Sequence, residues 1–221
     1  MKWIEQFQLF LFDFDGLLVN TEPLHYRAYI DVLAKRGCRL DWDFPQFCAL
    51  AHLHATALKE ALTAAWPHLD PDWDSFYAEK KAIYLHSVRS GQVELMPGVE
   101  AILKALAEKN IRRCVVTHSP QEQVDQICSQ IPILQTIPYW ITRHQYEKPK
   151  PDPECYLKAI ELYGQPGDLM IGFEDSIRGW QALSKTGVKA ILVCSSKHPL
   201  LTAAQSLGAR HVESFFDIEH A

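Results

Sequence analysis

Positive charge is in deficit. Lys and Arg number 22 against 27 Asp and Glu, a net charge of −5, which gives no ground for expecting a nucleic acid or an anionic membrane as partner. Long apolar runs are missing too. No stretch approaches the ~20 residues of a membrane span. The first apolar run, residues 9–12, ends at Asp13 and is too short for a signal peptide. None of the six cysteines (Cys38, Cys48, Cys114, Cys128, Cys155, Cys194) forms a C-x-x-C pair. Free thiols in a reducing compartment are therefore expected, not a zinc site or a disulfide framework, and the expected location is the cytoplasm. Internal repeats and low-complexity segments are also absent. What remains is ordinary: 221 residues, 48% hydrophobic and 22% charged, enough for one large domain or a core with a smaller companion.

Four short apolar runs read as buried strands: residues 8–14, 111–117, 168–175 and 189–194. Helical patterns lie between them. Residues 97–110 carry Pro97 near the start and Asn110 at the end. Residues 152–164 offer Asp152 as N-cap, Pro153 at the first helical position and Gly164 as terminator. Residues 176–187 also end in Gly. Strands alternating with helices predict a doubly wound, Rossmann-like parallel α/β sheet. Residues 17–92 break the rhythm with consecutive helical patterns at 22–37, 54–66 and 70–90. The expected architecture is an α/β core, 1–16 and 93–221, with an inserted helical cap domain, 17–92.

The chemistry-bearing residues gather at strand ends. "DFDG" puts Asp13 and Asp15 at the end of the first strand, where open α/β sheets bind ligands. One carboxylate can act as a covalent nucleophile and its neighbour as a general acid and base. The alternatives are a solvated turn, which stays open on these residues alone, and a calcium loop, which is excluded because its glycine belongs at position six and Gly16 stands at position four. "VVTHSP" sets Thr117 and Ser119 at another strand end, with Pro120 opening a helix. This is either a phosphate-binding helix start or an ordinary cap. "GFEDS" adds Glu174 and Asp175, adjacent acids of the kind found in solvated turns, but here following a buried strand at the edge where Asp13 also sits. Four acids at one edge repel unless a cation joins them, and oxygen-only ligands suit Mg²⁺. A lysine is then needed beside the nucleophile. "YEKPKPDPECYL" offers Lys148 and Lys150.

Taken in order, "DFDGLL", "VVTHS", "KPDPECYL" and "FEDS" resemble the haloacid-dehalogenase-like superfamily of Mg²⁺-dependent phosphatases and phosphomutases. "DFDGLLVNTEPLHYRAY" is most similar to its branch of β-phosphoglucomutase and small sugar-phosphate phosphatases. The resemblance implies that Asp13 is the nucleophile forming an aspartyl-phosphate. It implies that Asp15 protonates the leaving oxygen, then activates water, and offers its backbone carbonyl to the metal. Thr117 and the His118 N–H would hold phosphoryl oxygens. Asp175 would bind Mg²⁺, with Glu174 a direct or water-mediated ligand. The motif K-P-x-P-acid-x-aromatic-Leu fits from Lys150 and fails from Lys148, so Lys150 is the expected catalytic lysine.

Departures narrow the reading. Asn20 stands where Asp is usual. "ALAHLHAT" (49–56), at the expected specificity loop, has neither Gly nor Arg. Pro120 replaces a lysine of the mutase. The last two favour a phosphatase acting on a small phosphorylated metabolite over a phosphomutase. The metal-free dehalogenase branch lacks the second aspartate, which is present as Asp15. His25 matches a position at the cap entrance, and His54, with His52, falls on the expected specificity loop. Trp42, Trp66 and Trp73 read as cap core or cap surface, "AEKK" (78–81) as a solvated helix face, and Arg178 as a surface residue more than a phosphate contact.

Overall fold

The chain is described by a computed structural model covering residues 1–54 and 56–218. Six parallel strands form its sheet in the order β3-β2-β1-β4-β5-β6: β1 (Leu9–Phe12), β2 (Arg112–Val116), β3 (Tyr139–Ile141), β4 (Met170–Glu174), β5 (Lys189–Val193) and β6 (Arg210–Val212). This is the doubly wound, Rossmann-like order expected. From β1 the chain winds outward to β3, then crosses back to place β4 on the other side of β1. The crevice outside the carboxyl ends of β1 and β4 is the switch point where such sheets bind ligands.

Register decides what meets there. Phe12 pairs with Val115 on one side and Phe173 on the other. One residue further, Asp13 therefore lies level with Val116 and Glu174, and its N–H donates to the Phe173 carbonyl at 3.0 Å. Side chains alternate between faces. Phe10, Phe12 and Phe173 stack on one face, against Phe215. Leu9, Leu11, Cys114 and Val116 lie on the other, in a core shared with Cys155, Tyr156, Ala159, Ala182 and Leu183. Those last five belong to α7 (Glu154–Tyr163) and α8 (Ile177–Ser184). By the same alternation Asp13 and Glu174 face α7 and α8, not the phenylalanines.

Contacts divide the chain into two compact units, Met1–Asn20 with Glu94–Ala221, and Thr21–Val93. The first holds the sheet together with α5 (Val99–Glu108), α6 (Gln121–Cys128), α7, α8 and α9 (Leu201–Ser206). The second holds α1 (Glu22–Lys35), α2 (Phe44–Leu53), α3 (Ala57–Ala65) and α4 (Trp73–Arg89). Its core of Tyr29, Val32, Leu33, Phe47, Leu62 and Phe76 packs against the partly buried Trp42, Trp66 and Trp73, which decides between the core and surface readings of those tryptophans.

Three local expectations need correction. The helix expected from Asp152 starts at Glu154 with Pro153 at the N-cap, whose carbonyl accepts the first helical N–H groups. Asp152 still serves the helix start, accepting from the Glu154 N–H at 3.0 Å. The expected loop at 49–56 is helical through Leu53, because Asp43 and Gln46 build a capping box that starts α2; Ala55 lies outside the described residues. In "AEKK", Lys80 is buried. Its ammonium lies 2.6 Å from His25 Nδ1 and over the rings of Tyr29, Tyr77 and Tyr84.

Candidate active site

The loop before α7 delivers Lys150. Glu154, in the first turn of α7, accepts from the backbone N–H groups of Glu147 and Lys148, both at 2.8 Å. Lys185 Nζ donates to the Pro151 carbonyl at 2.8 Å. The arm is thus held on both sides of Lys150. Lys148 is exposed, whereas Lys150 is 5% exposed. Its ammonium is ion-paired with Asp13 Oδ1. It also reaches Glu174 Oε1 at 2.7 Å and donates to the Val116 carbonyl at 3.0 Å. Burial works against this charge, but the Asp13 and Glu174 carboxylates outweigh it and hold the Lys150 pKa above the ordinary lysine value.

Glu174 is fully buried. Besides Lys150, its Oε1 accepts from the Tyr156 hydroxyl. Burial and the Asp13 charge push its carboxyl pKa up, against the pull of Lys150. Oε2 is buried without a hydrogen-bond partner among the described residues. It lies against Gly179 in the first turn of α8, whose start Ser176 caps by accepting from the Gly179 N–H at 3.2 Å. A Cβ on Gly179 would stand 1.9 Å from Oε2. Gly179→Ala is therefore expected to destabilise the fold by about 1–3 kcal/mol, read as a lower midpoint in urea unfolding.

Asp13, Glu174 and the buried Asp175 each bring one carboxylate oxygen within 4.8 Å of the others. Two unit charges ~4 Å apart repel by about 4 kcal/mol near a protein surface, and Lys150 offsets only one of the three. A hard divalent cation fits this set of oxygen donors, with their excess negative charge and the orphaned Glu174 Oε2.

Asp15 leaves the strand on another course, because the chain turns at Gly16, whose φ of +81° suits glycine. Its Oδ2 accepts from Ser119 Oγ at 2.6 Å and stands 3.4 Å from Thr117 Oγ1. Thr117 is buried, its N–H spent on the Ile141 carbonyl and its Oγ1 accepting from the Ser119 N–H. His118 Nδ1 shares a 2.9 Å hydrogen bond with the Tyr146 hydroxyl, which donates to the Thr117 carbonyl at 3.1 Å. Burial, with Lys150, Arg178 and Arg143 nearby, pushes His118 down to about 3, so the ring is neutral.

The structure thus brings Asp13, Lys150, Glu174 and Asp175 together, with Asp15, Thr117 and His118 clustered on the neighbouring strand end. Reasoning from sequence missed Gln123, Tyr146 and Gly179, and read Tyr156 only as a motif aromatic. The i+4 spacing of Ser119 and Gln123 across a helix start was the one signal for Gln123.

The two histidines assigned to the cap belong to the helical unit. His25 stacks on Tyr84 with ring centroids 3.9 Å apart. Burial, then the Lys80 charge, pushes it down to about 3. His54 is exposed, 3.3 Å from Thr56 Oγ1. His52, by contrast, is buried, with its Nε2 3.4 Å from Glu22 Oε1 of the same unit.

A family model described as "Haloacid dehalogenase-like hydrolase" matches residues 10–193. Protein CbbY of Rhodobacter capsulatus is 26% identical over 193 residues, spanning 84% of each chain. A phosphorylated carbohydrates phosphatase of Thermotoga maritima is 27% identical over 183 residues, spanning 82% of each. Among solved structures, CbbY of Rhodobacter sphaeroides in complex with xylulose-(1,5)-bisphosphate superposes with a TM-score of 0.72 at 22% identity, covering 95% of both chains. A β-phosphoglucomutase of Clostridium difficile gives 0.73 at 18% identity, covering 97% of this chain and 94% of that one. At such identities the two structures bear on the fold alone.

Proposed function

The chain belongs to the haloacid dehalogenase-like hydrolase family, and on that premise we propose that it is a phosphatase of small phosphorylated, sugar-like metabolites, with Asp13 as covalent nucleophile. One observation carries the reading. Asp13, level with Glu174 at the sheet's switch point, is ion-paired to the buried Lys150 inside a cluster of carboxylates.

With Oδ1 held by Lys150, Oδ2 of Asp13 is the oxygen that attacks phosphorus. The bond to the leaving alkoxide breaks as Asp15 delivers a proton to it, leaving an aspartyl-phosphate on Asp13. Asp15, now ionised, takes a proton from the water that attacks the same phosphorus. Inorganic phosphate departs and the Asp13 carboxylate is restored. Lys150 offsets charge on the phosphoryl oxygens throughout, and Thr117 and the His118 N–H hold them in place. Asp13, Asp175, Glu174 and the Asp15 backbone carbonyl would hold Mg²⁺, which when bound neutralises charge spread over the transferring group. The inserted helical unit is the part we assign to choosing among substrates.

The expected result is phosphate release from p-nitrophenyl phosphate that needs added Mg²⁺ and disappears with excess EDTA. A panel of sugar, nucleotide and glycolytic phosphates then names the substrate. Isomerisation of β-glucose 1-phosphate without net phosphate release would assign a phosphomutase instead. Failure to turn over any panel member in saturating Mg²⁺ would remove the enzymatic reading altogether.

A further inference from the structure

Asp13 and Asp15 are two residues apart yet belong to different networks. Asp13 is tied to Lys150, and Asp15 to the start of α6. There Gln123 Nε2 donates to Asp15 Oδ1 at 3.2 Å and to Ser119 Oγ at 2.8 Å. Ser119 Oγ in turn donates to Asp15 Oδ2 at 2.6 Å. The three side chains close a ring whose donor directions are mutually consistent. A primary amide has two N–H donors, one for each acceptor, and the Ser119 oxygen accepts from Gln123 while its proton goes to Asp15. Gln123 is 7% exposed and Ser119 8% exposed, so both are withdrawn from competing water.

Their placement is local and rigid. Pro120, the N-cap of α6, separates Ser119 from the helix, and Gln123 stands in its first turn, where its own N–H donates to the Pro120 carbonyl at 3.0 Å. One short helix start therefore presents both side chains to a carboxylate 108 residues away in sequence. A glutamine placed only to close a helix end has no need of that distant partner.

We propose that Gln123 is a positioning residue for Asp15: with Ser119 it grips both carboxylate oxygens and fixes where Asp15 gives and takes its proton. This rests on Asp15 being the acid and base of the reaction. A misplaced acid matters most where the leaving group needs a proton. An alkoxide departs poorly without one, whereas p-nitrophenolate departs as the anion.

The test compares kcat/KM for an alkyl phosphate and for p-nitrophenyl phosphate. Gln123→Leu is expected to lower the alkyl value roughly 10- to 100-fold, the scale of a misplaced catalytic group, while the aryl value falls by no more than about threefold. Ser119→Ala, the smaller change, is expected to show the same leaving-group signature, and thermal unfolding checks that both variants are folded. In an Asp15→Ala background, Gln123→Leu is expected to add no further loss, because it acts only through Asp15. Equal losses on both substrates, or a full additional loss in the Asp15→Ala background, would overturn the positioning role and leave the acid–base reading standing. If Asp15→Ala alone spares alkyl turnover, the acid–base reading falls and the proposal falls with it.

Discussion

Asp13→Asn is expected to bring phosphate release down to background, a loss of roughly 10⁴- to 10⁶-fold, the scale seen when a covalent nucleophile is removed. The substitution keeps the shape of the side chain and an oxygen that can accept from Lys150. What it removes is the negative charge and the nucleophile. It also relieves the repulsion among Asp13, Glu174 and Asp175, so the variant should stay folded. Steady-state assays on p-nitrophenyl phosphate, paired with thermal unfolding, check both halves of the expectation. A folded variant that kept more than about 1% of the activity would be incompatible with covalent attack by Asp13.

Lys150→Ala is expected to fail on two counts. Activity should fall about 10³-fold, because the ammonium that offsets phosphoryl charge is gone from a site screened from water. Stability should fall as well. Asp13 and Glu174 would face each other with no ammonium between them, and removing one partner of a buried ion pair costs about 3–5 kcal/mol. Lys148→Ala is the control. Lys148 is exposed, and its backbone N–H, which Glu154 holds, survives the substitution. Stability should change by no more than about 0.5 kcal/mol, and activity should be largely kept. Urea unfolding with steady-state kinetics separates the two lysines, and equal effects would mean that the ion pair with Asp13 has no catalytic weight.

How far the sequence discloses this site depends on the range of each interaction. The central strands β1, β2, β4 and β5 are legible because continuous apolar runs are what a sheet covered on both faces demands. Edge strand β3 has only three residues, Tyr139–Ile141, and edge strand β6 only Arg210–Val212. Runs that short carry no usable period. The helix α2 hid behind the expectation of a loop, although Asp43, Pro45 and Gln46 spell out its start. At the site, the acids and Lys150 announce themselves by residue type at strand ends. Gln123 and Gly179 do not, since each matters through one partner that chemistry alone does not name. Gly179 reads as a weak point in a helix until the Glu174 carboxylate is seen lying against it. Lys80 shows the opposite error. Three of the four residues in "AEKK" are exposed, and the pattern concealed the one that the tyrosines and His25 enclose.

The covalent role of Asp13 can be read directly. The protein would be mixed with Mg²⁺ and an excess of its best substrate, quenched in acid during turnover, digested and examined by mass spectrometry. One phosphoryl group is expected on the peptide that contains Asp13, lost on treatment with hydroxylamine and absent in Asp13→Asn. Rapid turnover with that peptide unmodified at every quench time, and an Asp13→Asn variant that still releases phosphate, would contradict it.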